Sequence, residues 1–266
     1  MTARPLAAAA LAAALLAATV TGCAQSVDPI ERLGRKAAHA ARQAARTDSP
    51  AVDAHAYRRW GLSSPVPLAP PPSPRPRIHA AGPGLPPVVD HVPTHDKVVF
   101  LTYDDGAERD PRFVDLVREL RLPVSMFLTD SVVGPGYAHF ARLREVGANV
   151  QNHTLDHQSL QGLPYAGQRA EICGQQDKLR ERFGLRPRLF RPPYGTYDTT
   201  TLRAAGDCGV SAVVLWTEGE RLRAGDILLV GPDDDLDGPP LVERTVRLLR
   251  EIQERGLSVG RLEDYL

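Results

Sequence analysis

The chain has 266 residues, and its 32 Lys and Arg balance its 32 Asp and Glu, so the formal net charge is zero. Such a balance does not favour a nucleic-acid partner, which usually requires a basic surface. Hydrophobic residues make up 42% of the chain, enough for a folded core, and the three cysteines are compatible with an exported protein.

Residues 1–22 have the pattern of a secretory signal. Arg4 is their only charged residue, and the Ala/Leu run that follows is shorter than the about 20 residues a membrane-spanning helix needs. Small residues stand just before Cys23, which resembles a bacterial lipobox. Cys23 would then be lipidated and anchor the exported chain to the outer face of the cell membrane. Ordinary cleavage that leaves Cys23 as a free thiol is the alternative.

The next two segments are predicted to be an anchor with a basic helical stalk (23–62) and a proline-rich linker (63–96). Basic residues recur at helical spacing between 28 and 47, which suits contact with anionic lipid or wall polymer but also a solvated helix. Dense prolines, including those at 70–72, favour a semi-rigid extended spacer.

Residues 97–266 are predicted to form one globular domain in which strands and helices alternate. Such alternation favours parallel strands with an outer layer of helices, and in folds of this kind catalytic groups gather at the carboxyl ends of the strands. Strands are expected at 98–103, 122–128, 148–151, 189–190, 212–215, 227–230 and 257–259. Helices are expected at 110–120, 137–146, 166–183, 198–205 and 241–255.

The first of these strands stops at two adjacent acids, Asp104 and Asp105, followed by Gly106. Neighbouring residues of a strand point to opposite sides, so one acid could hold a metal while the other handles protons. Taken alone, however, Asp-Asp-Gly is an ordinary polar turn.

Two further segments contain candidate functional residues. His153 and His157 would share one face if their segment were helical, close enough to bind one ion, although exposed histidines in a polar loop are the alternative. The segment 191–195, Arg-Pro-Pro-Tyr-Gly, is by itself a rigid turn.

Together, segments 102–106, 153–157 and 191–195 resemble the motifs of the polysaccharide deacetylase family, the NodB-homology domains of carbohydrate esterase family 4. The resemblance extends from about Lys97 to the C-terminus. It implies an α/β fold, a distorted (β/α) barrel, with metal-dependent amidase activity that removes acetyl groups from N-acetylated sugars. We therefore expect a monomeric deacetylase of a cell-wall glycan such as peptidoglycan.

The resemblance also implies roles for individual residues. A divalent metal, with Zn²⁺ expected, would be bound by Asp105, His153 and His157. Asp104 would be the general base, oriented by Arg191, and the backbone N–H of Tyr194 would help to hold the oxyanion. Trp216 and Leu229 would line the substrate pocket.

The chain departs from the family where the proton donor for the leaving amine is expected. Gly231 stands in place of the histidine of the late Leu-x-His motif, and the sequence has no histidine after His157. Loss of one acid/base partner typically costs about 10²- to 10⁴-fold in rate. Activity with a substitute acid and a degenerate glycan-binding lipoprotein therefore both remain open. The candidate substitutes are water and a displaced group such as Glu220 or His95. Near Trp216 the chain offers only Glu218 or Glu220 as acids.

Two cysteines remain besides Cys23. Cys173 and Cys208 could form a disulfide or could be two separate buried thiols, and the sequence alone does not decide between these arrangements.

Overall fold

The computed structural model describes residues 55–219, 221–231 and 238–266. The predicted signal, Cys23, most of the stalk and Glu220 lie outside these residues. Within the described ranges, no helix is both long and apolar enough to cross a membrane.

The centre of the fold is an eight-stranded parallel sheet. β2 (Val98–Asp105) is its longest strand, and β8 (Ser258–Val259) pairs with the first residues of β2. The main path runs in the order β1 (Val88–Val89), β6 (Ala212–Val214), β5 (Leu189–Phe190), β4 (Asn149–Asn152), β3 (Val124–Leu128), β2 and β7 (Ile227–Leu229).

Helices connect and cover these strands. Asp110 caps the second helix by accepting the N–H of Arg112, and the fifth helix ends at Gly184 in a left-handed conformation. The helices are α1 (Ala56–Arg59), α2 (Pro111–Leu120), α3 (Asp130–Val133), α4 (Tyr137–Glu145), α5 (Tyr165–Phe183), α6 (Thr199–Asp207), α7 (Leu241–Glu254) and α8 (Leu262–Tyr265), with short 3₁₀ turns at Gly134–Gly136 and Pro193–Gly195.

The strand ladder is open between β1 and β7, but other backbone contacts cross this gap. His91 and Asp226 form an isolated antiparallel bridge. The N–H of Val92 donates to the carbonyl of Gly225 at 2.9 Å, and that of Thr217 donates to the carbonyl of Ile227 at 2.9 Å. The predicted α/β class is confirmed, and the arrangement is that of a barrel with one incomplete seam.

β2 is covered on both faces, as expected of a central parallel strand. Val99 and Leu101 belong to one core cluster with residues of α2 and α7. Phe100 belongs to a second cluster with Phe127 and Tyr265. Packing on both faces fixes the position of the carboxyl end of β2, where Asp104 and Asp105 lie.

The segment expected to be an extended linker packs against the domain. Val66 is buried in the first core cluster, together with Leu62 at the end of the predicted stalk, and Leu68 bridges Val259 of β8. β1, also within this segment, pairs with β6. The prolines are interrupted by apolar residues that supply buried surface, so the segment is part of the domain rather than a spacer.

Candidate active site

The two acids at the end of β2 have different neighbours. Oδ1 of Asp104 accepts a hydrogen bond from Nη1 of Arg191 at 2.7 Å, whereas Oδ1 of Asp105 lies 3.3 Å from Nε2 of His153 and 3.1 Å from Nε2 of His157. Oδ2 of Asp104 also lies 3.8 Å from Nε2 of His153. Because Asp105 has a left-handed backbone (φ 65°), the carboxylates converge instead of pointing to opposite sides as the strand pattern predicted.

Gly106 allows the chain to turn away immediately after the acids. Its φ is +87°, and an added Cβ would lie 2.7 Å from Val133 and 2.9 Å from Phe140. A side chain here would be strained by the backbone and blocked by the core. Gly106 is therefore needed for steric reasons, since a larger residue would not fit between the acids and the core.

Arg191 lies fully buried directly after β5. Besides Asp104, it donates to Thr102 Oγ1 and to the backbone carbonyls of Val214 and Leu215. Burial lowers the pKa of Arg191, and the Asp104 carboxylate opposes this effect. The guanidinium is therefore held by several partners and fixes the orientation of Asp104.

The two histidines are brought together by a loop, not by a helix. Thr154 and His157 have positive φ values of 72° and 56°, so the helical interpretation of this segment was wrong. The side chain of Asn152 accepts the Thr154 N–H at 2.9 Å, and Thr154 Oγ1 accepts the His157 N–H at 3.1 Å. These side-chain hydrogen bonds, in place of a helical backbone, hold the loop in the shape that brings the two imidazole rings together.

Asp105, His153 and His157 fit a divalent metal. One ligand atom from each lies within 4.8 Å of the others. Nδ1 of His153 donates to the Arg191 carbonyl at 2.7 Å, which leaves the Nε2 lone pair of the neutral ring facing Asp105. Oδ1 of Asp105 is buried without a well-aligned hydrogen-bond donor among the described residues. Two imidazole nitrogens and one carboxylate oxygen aimed at one point are a typical zinc-type ligand set.

Electrostatics support an ionised carboxylate at this point. Burial by itself raises the pKa of Asp105, but the contacts with His153 and His157 outweigh burial and hold this pKa well below its ordinary value. The Asp105 carboxylate in turn raises the pKa of His157. The cluster therefore attracts positive charge into its centre.

A cleft of about 650 Å³ is connected to this cluster through Tyr194. Tyr194, which is 64% exposed and has a φ of 59°, packs its ring against His157 with a centroid distance of 4.9 Å. Trp216 lines the cleft beside Gly195, where an added Cβ would lie 3.0 Å from the indole. Glu218 also lines it. Trp216 thus forms part of the wall of this cleft.

Leu229 and Gly231 mark the side where the family's histidine is expected. Leu229 ends β7, is partly buried and pairs with Thr102 of β2. Gly231, two residues further on, is therefore at about the level of Asp104. The position expected for the proton donor is next to the acids but has no side chain.

The sequence interpretation missed two charged pairs, of which the first lies near the acids and the second lies further along the sheet. Glu108 pairs with Arg244 and lines a small cavity, about 20 Å³, together with Asp104 and Asp105. Nδ1 of His91 lies 3.2 Å from Oδ1 of Asp226. Asp226 precedes Ile227, the partner of Phe100, so it lies roughly 16 Å along β2 from Asp104 at about 3.3 Å per residue. Neither pair has a recognisable spacing in the sequence.

At the carboxyl ends of the strands of a parallel α/β fold, the structure thus places an acid paired with arginine and a cluster of one carboxylate and two histidines. Such an arrangement is typical of hydrolase scaffolds that can bind a divalent metal. The profile of the polysaccharide deacetylase family matches residues 91–213. The chain belongs to this family, whose solved members include structures of carbohydrate esterase family 4.

Two curated relatives show how far the similarity extends. An uncharacterized protein of Streptomyces coelicolor is 55% identical over 251 residues, covering 90% of each chain. A peptidoglycan-N-acetylglucosamine deacetylase of Bacillus cereus is 24% identical over 200 residues, covering 66% of this chain and 91% of that protein.

Solved structures agree on the fold. A family 4 carbohydrate esterase from Bacillus anthracis superposes with a TM-score of 0.58 at 21% identity, covering 67% of this chain and 86% of that one. A CE4 family pseudoenzyme from the same organism gives a TM-score of 0.58 at 18% identity, covering 66% and 67%. The same fold therefore occurs in proteins described as an esterase and as a pseudoenzyme.

Proposed function

We propose that the protein is a metal-dependent hydrolase that removes N-acetyl groups from an N-acetylglucosamine polymer such as peptidoglycan. The observation that carries this proposal is the convergence of Asp105, His153 and His157 beside the Asp104–Arg191 pair. The similarity to a peptidoglycan-N-acetylglucosamine deacetylase supports the substrate class. Zn²⁺ suits the ligand set best, because two nitrogens and one oxygen leave positions open for water and substrate.

The bound ion would activate water and polarise the amide carbonyl. Asp104 has the geometry of a general base, since Arg191 occupies its Oδ1 and its Oδ2 faces His153. Arg191 keeps this carboxylate oriented while it accepts the proton of the attacking water. The backbone N–H of Tyr194 would stabilise the oxyanion. Trp216, and Leu229 at the end of β7, would contact the sugar and its acetyl group.

The sequence supports a location for this activity. The signal-like residues 1–22 and the lipobox-like Cys23 suggest export and a lipid anchor on the outer face of the membrane. Such an anchor would keep a monomeric catalytic domain close to wall polymer.

A second candidate function is a non-catalytic, metal-binding and glycan-binding lipoprotein. Gly231 favours it, because glycine has no side chain that could donate a proton at the position where the family's histidine is expected. The similarity of the fold to a CE4 family pseudoenzyme shows that this scaffold is not confined to enzymes.

Acetate release distinguishes the two candidates. The zinc-loaded full chain and its Asp104→Asn variant would be assayed on N-acetylglucosamine oligomers and on peptidoglycan. Release by the parent chain that falls by about 10²- to 10⁴-fold in the variant supports catalysis with Asp104 as base. Equal release by both above a protein-free blank would remove Asp104 from the base role. No release above that blank by either protein, with zinc bound to both, would contradict the hydrolase proposal. Glycan-dependent protection against unfolding would then identify the binding protein.

A further inference from the structure

A second cleft, of about 430 Å³, lies at the end of the sheet opposite the carboxylates. Asn149 at the start of β4, Leu189 at the start of β5 and Ser211 just before β6 line it. The active-site residues, in contrast, follow the carboxyl ends of their strands. This arginine cleft is therefore separate from the proposed catalytic site.

Four arginines from three segments surround the cleft, and only one acidic side chain is among the lining residues. The arginines are Arg144 of α4, Arg186 and Arg188 before β5, and Arg261 before α8. Even with a terminal carboxylate on Leu266, which also lines the cleft, four positive charges against two negative charges leave a net charge of +2. A concave surface of one sign concentrates ions of the opposite charge.

Several of these guanidinium groups are held in position. Arg144 donates to the carbonyl of Phe183 at 3.1 Å and stacks over its ring at 5.1 Å. Nε of Arg188 donates to Ser211 Oγ at 3.2 Å, and Arg261 reaches the carbonyl of Gly147 at 3.5 Å. These contacts use only some of the N–H groups of each guanidinium, so the others can donate to a ligand. Because the side chains are already held, binding costs little side-chain conformational entropy.

The floor of the cleft is polar and well connected. The Glu263 carboxylate accepts hydrogen bonds from Ser125 at 2.8 Å, Gln151 at 2.9 Å and Asn149 at 3.0 Å. Burial raises the pKa of Glu263, although these donors act in the opposite direction. Because both oxygens of Glu263 already accept these hydrogen bonds, Glu263 competes only weakly with a bound anion for the arginines of the cleft.

From this geometry we propose that the arginine cleft binds a phosphate group. Guanidinium forks match the oxygens of phosphate in bidentate fashion, and several of them around one concavity are the usual protein device for a multiply charged oxyanion. The volume lies within the range of pockets for small ligands. The phosphate could come from free solution or from a lipid headgroup, and the experiment below separates these sources.

The test compares two double variants of the full chain that remove the same charge. Arg186→Gln with Arg188→Gln removes two exposed guanidinium groups from the cleft. Arg247→Gln with Arg255→Gln removes two exposed groups beside α7, away from the cleft. Titration calorimetry with inorganic phosphate, and co-sedimentation with phosphatidylglycerol vesicles against phosphatidylcholine vesicles, would be run on each. Circular dichroism would check that both variants are folded.

We expect the cleft variant to lose at least tenfold in phosphate affinity and the control variant to change less than twofold. If the cleft variant also loses phosphatidylglycerol binding that the control keeps, the lipid headgroup is a source. If vesicle binding is equal in both variants, free phosphate is the source. Equal weakening of phosphate binding in both variants, or no phosphate binding by the parent chain, would overturn the proposal. Zinc plays no part in this assay, so its outcome is independent of the deacetylase test.

Discussion

At the scale of single residues, Asp104 and Asp105 have the same side chain but differ in backbone conformation and in their neighbours. Asp104 is paired with the buried Arg191, whereas Asp105 faces two imidazoles. A carboxylate held by arginine has its charge partly satisfied and suits proton transfer, while one aimed at two ring nitrogens suits a shared cation. The same residue type thus takes two functions from its local geometry.

This difference predicts which substitutions release the metal. Asp105→Ala and His157→Ala each remove one of the three ligands and should leave less than stoichiometric zinc after desalting. Asp104→Asn keeps all three ligands and should retain zinc, which makes it the matched control. Metal content by atomic emission checks this, and one equivalent of zinc in Asp105→Ala would show that the ligand set is wrong.

Gly231 offers a gain-of-function prediction. Its position is level with Asp104, and among the described residues an added Cβ would meet only Leu229 Cγ, at 3.8 Å. Gly231→His should therefore fit and place an imidazole beside the reacting atoms. We expect acetate release to rise by about tenfold or more, up to the roughly 10²- to 10⁴-fold that general acid catalysis typically contributes.

Gly231→Asn is the control for this change, because it adds a polar side chain that is not a general acid. If the two variants release acetate at the same rate while both retain zinc, the added imidazole is not donating a proton. A parent chain without measurable activity, made active only by histidine, would identify the protein as a degenerate deacetylase.

At the scale of elements, local chemistry decides what the sequence can predict. The apolar run of β2, the Asp110 cap of α2 and the glycine that ends α5 act within a few residues, so these elements lie where they were expected. The loop that holds His153 and His157 depends on Asn152 and on left-handed backbone, and β1 depends on pairing with a strand over 100 residues away. Such features need tertiary contacts and leave no periodic pattern.

A disulfide joins α5 to the end of α6, and the sequence alone did not decide whether these two cysteines are bonded. Cys173 and Cys208 form a disulfide with a Cα–Cα distance of 5.1 Å across a separation of 35 residues. Closing a loop of this size typically stabilises a protein by about 2–4 kcal/mol, mainly through the unfolded state. We expect reductant, or Cys173→Ala with Cys208→Ala, to lower the urea midpoint correspondingly.

The Cys23→Ser variant serves as the control, since it should respond to reductant as the parent chain does. The double variant should have the same midpoint with and without reductant. A parent chain whose midpoint is insensitive to reductant under conditions that reduce both thiols would contradict a stabilising disulfide.

At the scale of the whole molecule, the two ends of the sheet have opposite electrostatic character. Acids and imidazoles lie at the carboxyl ends of the strands, and arginines surround the cleft at the other end. A cation and an anion could therefore bind the same domain without competing for one surface. The proposed deacetylase reaction uses only the first end, which leaves the second available for attachment or regulation.

The extent of the folding unit gives the last prediction. Leu62, Val66, Val89 and Val92 are all buried, although they precede the start of the predicted domain at residue 97. Burying side chains of this size contributes about 1.5–3 kcal/mol each as an upper estimate, against a net stability of roughly 5–15 kcal/mol for a whole domain. A chain of residues 97–266 should therefore be unfolded or insoluble, whereas residues 52–266 should unfold cooperatively in urea with the midpoint of the full chain. Near-ultraviolet circular dichroism and urea titration of the two fragments side by side would measure this. A 97–266 fragment with the same midpoint and slope as the longer one would show that the proline-rich segment is only a spacer after all.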